Sequence, residues 1–389
     1  IGQPIIFASF NYRIGALGFL GGQQVKDAGV SNLGLHDQRL ALRWVRKYIS
    51  RFGGDPNRVT LWGESAGAIS IRLQMVVNGG NTESLFRAAF MQSGAPIPVG
   101  DIKNGQDVYN ALATKLGCAK EKDSLSCIRK APFESFYDAA NNVPGLLVPR
   151  VDGQILKETP FESIRDGRVA RIPYVIGNLD DEGTIFAMQY LGVTTEDEMK
   201  PYLKSQFLQV GTPGELEQIM TLYGPDQTLG SPYNSGNRYQ CGRQFNRIAS
   251  IEGDMVFHAP RRYLLDETWD KQKAWNYLKL GQEGLSHSRR FSHWDSEIGK
   301  TRFFGSAHTS DLAYSFGEGS LQEYIIRFVA HMDPNGGPAN PSLIPWPQYT
   351  KPGNATLLMQ DGPKLSIAND MFRVPQIDYL RDMEIKYPM

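Results

Sequence analysis

The chain offers little that would hold it to a membrane or a nucleic acid. Its 389 residues contain no apolar run of about 18 residues, the length a membrane-spanning helix needs. Forty-one basic residues balance forty-one acidic ones, for a formal net charge of zero. That balance leaves no basic field for a phosphate backbone or an anionic bilayer, which argues against nucleic acid as a partner. There is no internal repeat, no low-complexity tract and no His/Cys spacing of the metal-binding kind, so neither a metal nor any other cofactor is called for. A starting methionine is absent, as is a charged segment leading into an apolar run, so no signal peptide is visible. The chain opens instead with IGQPIIFASFNYR, in which residues 4–11 read as a buried strand. A chain that begins inside a core strand reads as a fragment or a processed product.

Two scarce residue types narrow the chemistry. There are three cysteines. Cys118 and Cys127 flank the polar stretch GCAKEKDSLSC, which suits either a surface loop closed by a disulfide, and hence an oxidising compartment, or buried thiols; Cys241 is left over. There are six histidines, His36, His258, His287, His293, His308 and His331, few enough to weigh singly as bases. Asn354-Ala355-Thr356 is an N-glycosylation triplet, a pattern that also arises by chance.

What is present reads as a globular α/β chain, 41% hydrophobic and 21% charged. Apolar positions at helical spacing run from Leu35 to Ile49 and stop at Gly53-Gly54-Asp55-Pro56. Residues 58–62 read as a strand, Ser65 to about Val77 as a helix, and Leu85 to Met91 as a strand. This alternation predicts a mostly parallel sheet with helices on both faces. Residues 173–178 and 274–280 read as further strands, with helical or irregular insertions at about 100–170 and 190–270. Residues 319–332 and 369–386 read as late helices. No linker-like stretch divides the chain, so 1–389 is taken as one domain.

Gly63-Glu64-Ser65-Ala66-Gly67 fits G-x-S-x-G between an apolar strand and a helix. In that setting the serine stands on a tight strand-to-helix turn that lifts its hydroxyl above the sheet edge. The helix aims its positive end at the site, and the Ala66 N–H becomes a donor to a developing oxyanion. This motif, FGGDPNRVTLWGESAG around it, Asn11-Tyr12-Arg13 with Leu17-Gly18-Phe19-Leu20, Asn32-Leu33-Gly34-Leu35 with Asp37-Gln38, Met91-Gln92-Ser93-Gly94, Asp181-Glu182-Gly183-Thr184 and Trp346-Pro347 with Tyr349 together resemble the type-B carboxylesterase/lipase family, which includes the cholinesterases. The likeness spans nearly the whole chain and is nearest to the fungal lipases and esterases. It implies an α/β-hydrolase fold, here truncated at the N-terminus, and a secreted serine carboxylic ester hydrolase.

A serine hydroxyl needs a histidine base, and the imidazole needs a carboxylate to orient it. In this fold the chain order is serine, acid, histidine. By order and loop setting His308 is the best base, and the family's H-x-x-(D/E) loop maps to His308 and Asp311. For the acid, Asp180, Asp181 and Glu182 follow a strand, and spacing does not choose among them. The resemblance picks Glu182; Asp180 and Asp181 also suit a helix start that caps its own dipole. Glu64 is expected in the pocket near the histidine. Ser93 serves either as a second hydrogen-bonding neighbour or as a plain turn. The apolar run 143–149, including Leu146, lines an acyl pocket with Ile185 and Phe186 or is simply core.

The family's second oxyanion donor comes from a Gly-rich loop upstream of the N-Y-R strand, and no such loop precedes Ile1; Gly53-Gly54 lies in the wrong place. The chain alone is therefore expected to be poorly active and prone to aggregate, since each lost oxyanion donor costs roughly 100-fold or more in rate. Substrates implied are acyl glycerols, sterol esters or other carboxylic esters, with lipid-interface contact in the full-length protein left open. The rival reading is a non-catalytic, cholinesterase-like binding or adhesion protein, or an inactive fragment.

Overall fold

The computed structural model describes residues 2–208, 211–236, 242–280, 304–317, 319–360 and 364–389. Among them one sheet carries six strands: β1 (Thr60–Glu64), β2 (Ala88–Gln92), β3 (Tyr174–Leu179), β4 (Ala274–Lys279), β5 (Ala355–Met359) and β6 (Leu365–Asn369). They lie side by side in chain order. The first five run parallel, and β6 turns back antiparallel on β5.

Alternate residues of the middle strands pack into different clusters, as the two-residue period of a strand requires. Ala89, Met91, Tyr174 and Ile176 join Leu35 and Leu42 of the helix Leu33–Tyr48 and Leu73 and Val76 of the helix Ala66–Gly80. Ala88, Phe90, Val175, Trp275 and Tyr277 join Leu321, Tyr324 and Phe328 of the helix Ser320–His331, together with Trp346. Helices therefore cover both faces, and β2 and β3 are buried along their whole length. That double burial explains why these strands read as continuous apolar runs rather than as alternating ones.

The expected helices and strands are present with shifts of a few residues. The strand expected at 58–62 is Thr60–Glu64, and the helix that follows Ser65 leaves helical geometry at Val77. Two expectations change, and one pair of strands was not expected. Residues 4–11 form no strand: Phe7 is 63% exposed and meets β1 in an edge-on contact with Trp62, its ring 5.8 Å away. Apolar β-formers become a strand only where a ladder of backbone hydrogen bonds takes them up, and β1 makes none with this segment among the described residues. The last helix begins at Val374 rather than 369, because Asn369 ends β6. The hairpin β5–β6 itself is missing from the sequence reading; five residues carry too little periodicity to distinguish a strand.

Cys118 and Cys127 are joined by a disulfide, with their Cα atoms 5.6 Å apart. The bond ties the end of the helix Gln106–Lys115 to the helix Ser124–Lys130, beside a cluster of Tyr109, Leu112, Ile128 and Ala139. The alternative of buried free thiols is thereby set aside for this pair; Cys241 lies outside the described residues. Asn354 stands half-buried at the turn into β5, where its side-chain oxygen accepts from the Tyr349 hydroxyl at 3.0 Å.

Candidate active site

The site is assembled where parallel strands end, since their following loops converge at that edge. β1 ends at Glu64 and the next helix begins at Ala66, so the whole reversal falls on Ser65. Its φ of +54° with ψ of −123° is a backbone conformation that residues other than glycine seldom adopt, a strain characteristic of functional turns. The turn is held on both sides: Ser65 N–H donates to Gln92 O of β2, and Ile69 N–H donates to Ser65 O, each at 2.9 Å. The crowding that demands glycine falls on Gly63, where a Cβ would lie 2.6 Å from the backbone carbon of Gly67. Ala66, as the first residue of its helix, presents an N–H that the helix leaves unpaired.

His308 reaches this hydroxyl from a loop far along the chain. Its Nε2 is 2.8 Å from Ser65 Oγ, and its Nδ1 is 2.6 Å from Glu182 Oε2. Glu182 is fully buried in the turn after β3, and its other oxygen accepts from Leu179 N–H at 2.8 Å. Burial works against a charged imidazole, but the hydrogen bond and charge of Glu182, with Glu64 and Asp311 behind them, outweigh it and raise the His308 pKa. Glu64 Oε1 lies 3.4 Å from His308 Nε2. Burial pushes the Glu64 carboxyl up to about 7 against the pull of His308, and the charges of Asp311 and Glu182 push the same way.

A hydroxyl, an imidazole and a buried carboxylate in hydrogen-bonded series, at a helix N-terminus, form the apparatus of acyl transfer. The sequence profile described as the carboxylesterase family matches residues 2–376. The chain belongs to the carboxylesterase family. It is 34% identical to Lipase 4 of Diutina rugosa over 98% of this chain and 69% of that protein. It is 37% identical to Lipase 2 of Geotrichum candidum over 92% of this chain and 64% of that protein. A secreted triacylglycerol lipase of Gibberella zeae is 34% identical over 97% of this chain and 65% of its own length. The chain thus spans about two thirds of the length of these relatives. The crystal structure of Aspergillus niger EstA superimposes with a TM-score of 0.82 at 23% identity, covering 98% of this chain and 74% of that one. A PNB esterase does so with 0.74 at 24%, covering 95% and 73%. At these identities the structures establish the shared α/β-hydrolase fold.

The other expected residues of this family member fall in several places. The Phe186 ring is 5.1 Å from that of His308, and Ile185 sits half-buried beside it on the short helix Thr184–Ala187. Leu146 is 42% exposed, and its stretch packs through Val143 against the helices around the disulfide. The second ring beside the imidazole is Phe257, at 4.8 Å, delivered by the wide π-helical turn Asp254–His258. Nothing in the local sequence marks Phe257, because its place depends on that turn. Ser93 acts as a turn: its φ is +49°, its N–H donates to Gly177 O at 2.8 Å, and its buried hydroxyl has no partner among the described residues.

Of the other histidines, His36 and His331 are exposed on helices and His258 is buried beside Asn178. His287 and His293 lie outside the described residues. One supporting residue was legible in principle and went unread. Gln92 is a buried amide at the end of an otherwise apolar strand. Its Nε2 donates to Asp311 Oδ2 and Ser315 Oγ, each at 2.9 Å, while its Oε1 accepts from Trp62 Nε1 at 2.6 Å. Tyr277 donates to the same Asp311 oxygen at 2.7 Å.

Proposed function

We propose that the protein carrying this chain hydrolyses carboxylic esters of the acyl-glycerol type through an acyl-enzyme on Ser65. The observation that carries the reading is the continuous series Ser65 Oγ–His308 Nε2–Nδ1–Glu182 Oε2, at 2.8 and 2.6 Å. His308 takes the Ser65 proton as the hydroxyl oxygen attacks the ester carbonyl carbon. The Ala66 N–H faces the oxygen that becomes negative. His308 then returns the proton to the departing alcohol, and water repeats the sequence to release the acid. Glu182 holds the Nδ1–H tautomer that leaves Nε2 free to act. The lipase names of the relatives favour acyl glycerols.

Secretion belongs to the same proposal. It is supported by the disulfide and by secreted relatives in Gibberella zeae and Botryotinia fuckeliana. Glycosylation at Asn354 would accompany it. No helix among the described residues is long and apolar enough to cross a membrane.

The test uses the complete protein: labelling by a fluorophosphonate, then hydrolysis of p-nitrophenyl esters of increasing chain length, with and without an oil–water interface. Labelling with turnover is expected, with long chains and the interface favoured. A protein that neither labels nor turns over any ester sinks the reading and supports a binding role.

A pH prediction follows from Glu64. The acid limb of kcat/KM reports protonation of His308 in the free enzyme, because only the neutral imidazole is a base. Glu64→Gln removes a carboxyl 3.4 Å from Nε2 that carries its negative charge only as the pH rises through about 7, so it acts on the upper part of the limb. The imidazolium loses that support, the His308 pKa falls, and the limb moves to lower pH. A pH–rate profile on a soluble ester checks this; an unmoved limb means Glu64 does not act on His308.

A further inference from the structure

Asp181, weighed above both as an acid and as a helix start, is tied to two other segments, and Thr184, at the head of its short helix, shares in one of these ties. Asp181 is buried, and its two oxygens face different parts of the chain. Oδ1 accepts from Ser231 Oγ and from Tyr233 N–H, each at 2.8 Å. Oδ2 accepts from Ser306 N–H at 2.8 Å, two residues before His308. The backbone adds a second tie, since Asp181 N–H donates to Ser306 O at 3.1 Å and Asp181 forms a parallel bridge with Ala307. Thr184 Oγ1 lies 2.9 Å from Phe304 O and the same distance from Asp181 O. The loop meets this grip closely: at Gly305, with φ +62°, a Cβ would stand 2.1 Å from Asp181 Oδ2. Glu182 lies between the two gripping residues, so the segment that carries the acid also holds the loop that carries the base.

We propose that Asp181 and Thr184 are positioning residues for the reaction assigned above: they clamp loop 304–307 to the acid turn and so set the contact between His308 Nδ1 and Glu182 Oε2. The inference rests on that functional reading. The two triad members are 126 residues apart in sequence and come from different segments, so their 2.6 Å contact needs a tie other than itself. Two side-chain acceptances by Asp181 Oδ1 against one by Oδ2 decide what an amide does there. In Asp181→Asn the single oxygen goes to Ser231 and Tyr233, and the NH₂ turns toward Ser306 N–H, which opens the clamp. Thr184→Val removes the other tie with no change of charge.

The experiment compares the complete protein with its Asp181→Asn and Thr184→Val variants. Active serines are titrated with a fluorophosphonate, so that kcat is expressed per folded site, and kcat/KM is followed against pH. Expected is a fall in kcat per titrated site of up to about 100-fold for Asp181→Asn, the scale of a misplaced catalytic group, with a smaller fall for Thr184→Val and KM little changed. In both, the acid limb moves to lower pH, because a loosened Glu182 contact lets the His308 pKa drop. The uncharged Thr184 change excludes a mere loss of negative charge as the cause. Parental kcat per site in Asp181→Asn, or falls in kcat with the limb unmoved in both variants, overturns the proposal. A parent that neither labels nor hydrolyses esters defeats the functional reading instead.

Discussion

Ser65→Ala lowers kcat for a soluble ester by about 10⁶-fold and abolishes fluorophosphonate labelling, while the thermal unfolding midpoint stays where it was. The size follows from what is removed. The hydroxyl is the atom that forms the covalent bond, and its hydrogen-bonded partner is His308 Nε2 at 2.8 Å. Without it the imidazole and oxyanion donor can act only on water, and the loss corresponds to about 8 kcal/mol of transition-state stabilisation. The fold has little reason to respond. The backbone at φ +54° is held by Gln92 O and Ile69 N–H, both engaged through main-chain atoms that alanine keeps. Burst kinetics and intact mass after labelling give the readout. Activity within about 100-fold of the parent would move the nucleophile elsewhere.

Glu182→Gln is expected to cost about 10⁴-fold in kcat with the fold intact, the scale of losing the residue that sets the imidazole tautomer. The argument depends on both carboxylate oxygens being used. Oε1 accepts from Leu179 N–H at 2.8 Å, and Oε2 accepts from His308 Nδ1 at 2.6 Å. Glutamine has one oxygen and one NH₂. If its oxygen stays with the fixed backbone N–H, the NH₂ faces Nδ1 and donates to it. The ring proton then shifts to Nε2, which points a hydrogen at Ser65 and cannot accept one. The variant also removes the main support for a raised His308 pKa, so what activity remains has its acid limb at lower pH. Single-turnover measurements with an activated ester separate acylation from binding. A loss of less than about tenfold would mean that the acid lies elsewhere or that the amide oxygen turns to the histidine.

The parts of this molecule that could be read from residues are those whose geometry is local. An apolar strand, a glycine at 63, a serine and a helix lie within one short stretch, and the bend between them needs no distant partner to be recognised. The buried strands β2 and β3 were legible for the same reason. Residues 4–11 have the same apolar character yet remain unpaired, because strand formation is decided by a neighbour. The hairpin β5–β6 was missed for the converse reason: its pairing with β4 makes the strand. Asp181 and Glu182, adjacent in sequence, are equivalent to any local rule. One was expected to cap a helix and instead grips the His308 loop; the other meets the imidazole.

From the sequence alone came the fold class and Ser65 as the candidate nucleophile, since a strand-serine-helix pattern is set by neighbours in the chain. Tertiary structure alone decided that His308 stands within 2.8 Å of a hydroxyl 243 residues away, that Phe257 rather than Leu146 borders its ring, and that Asp181 accepts from Ser306 N–H in the loop just before His308. Contacts of that kind depend on where separate segments pack, and packing is a property of the whole folded chain.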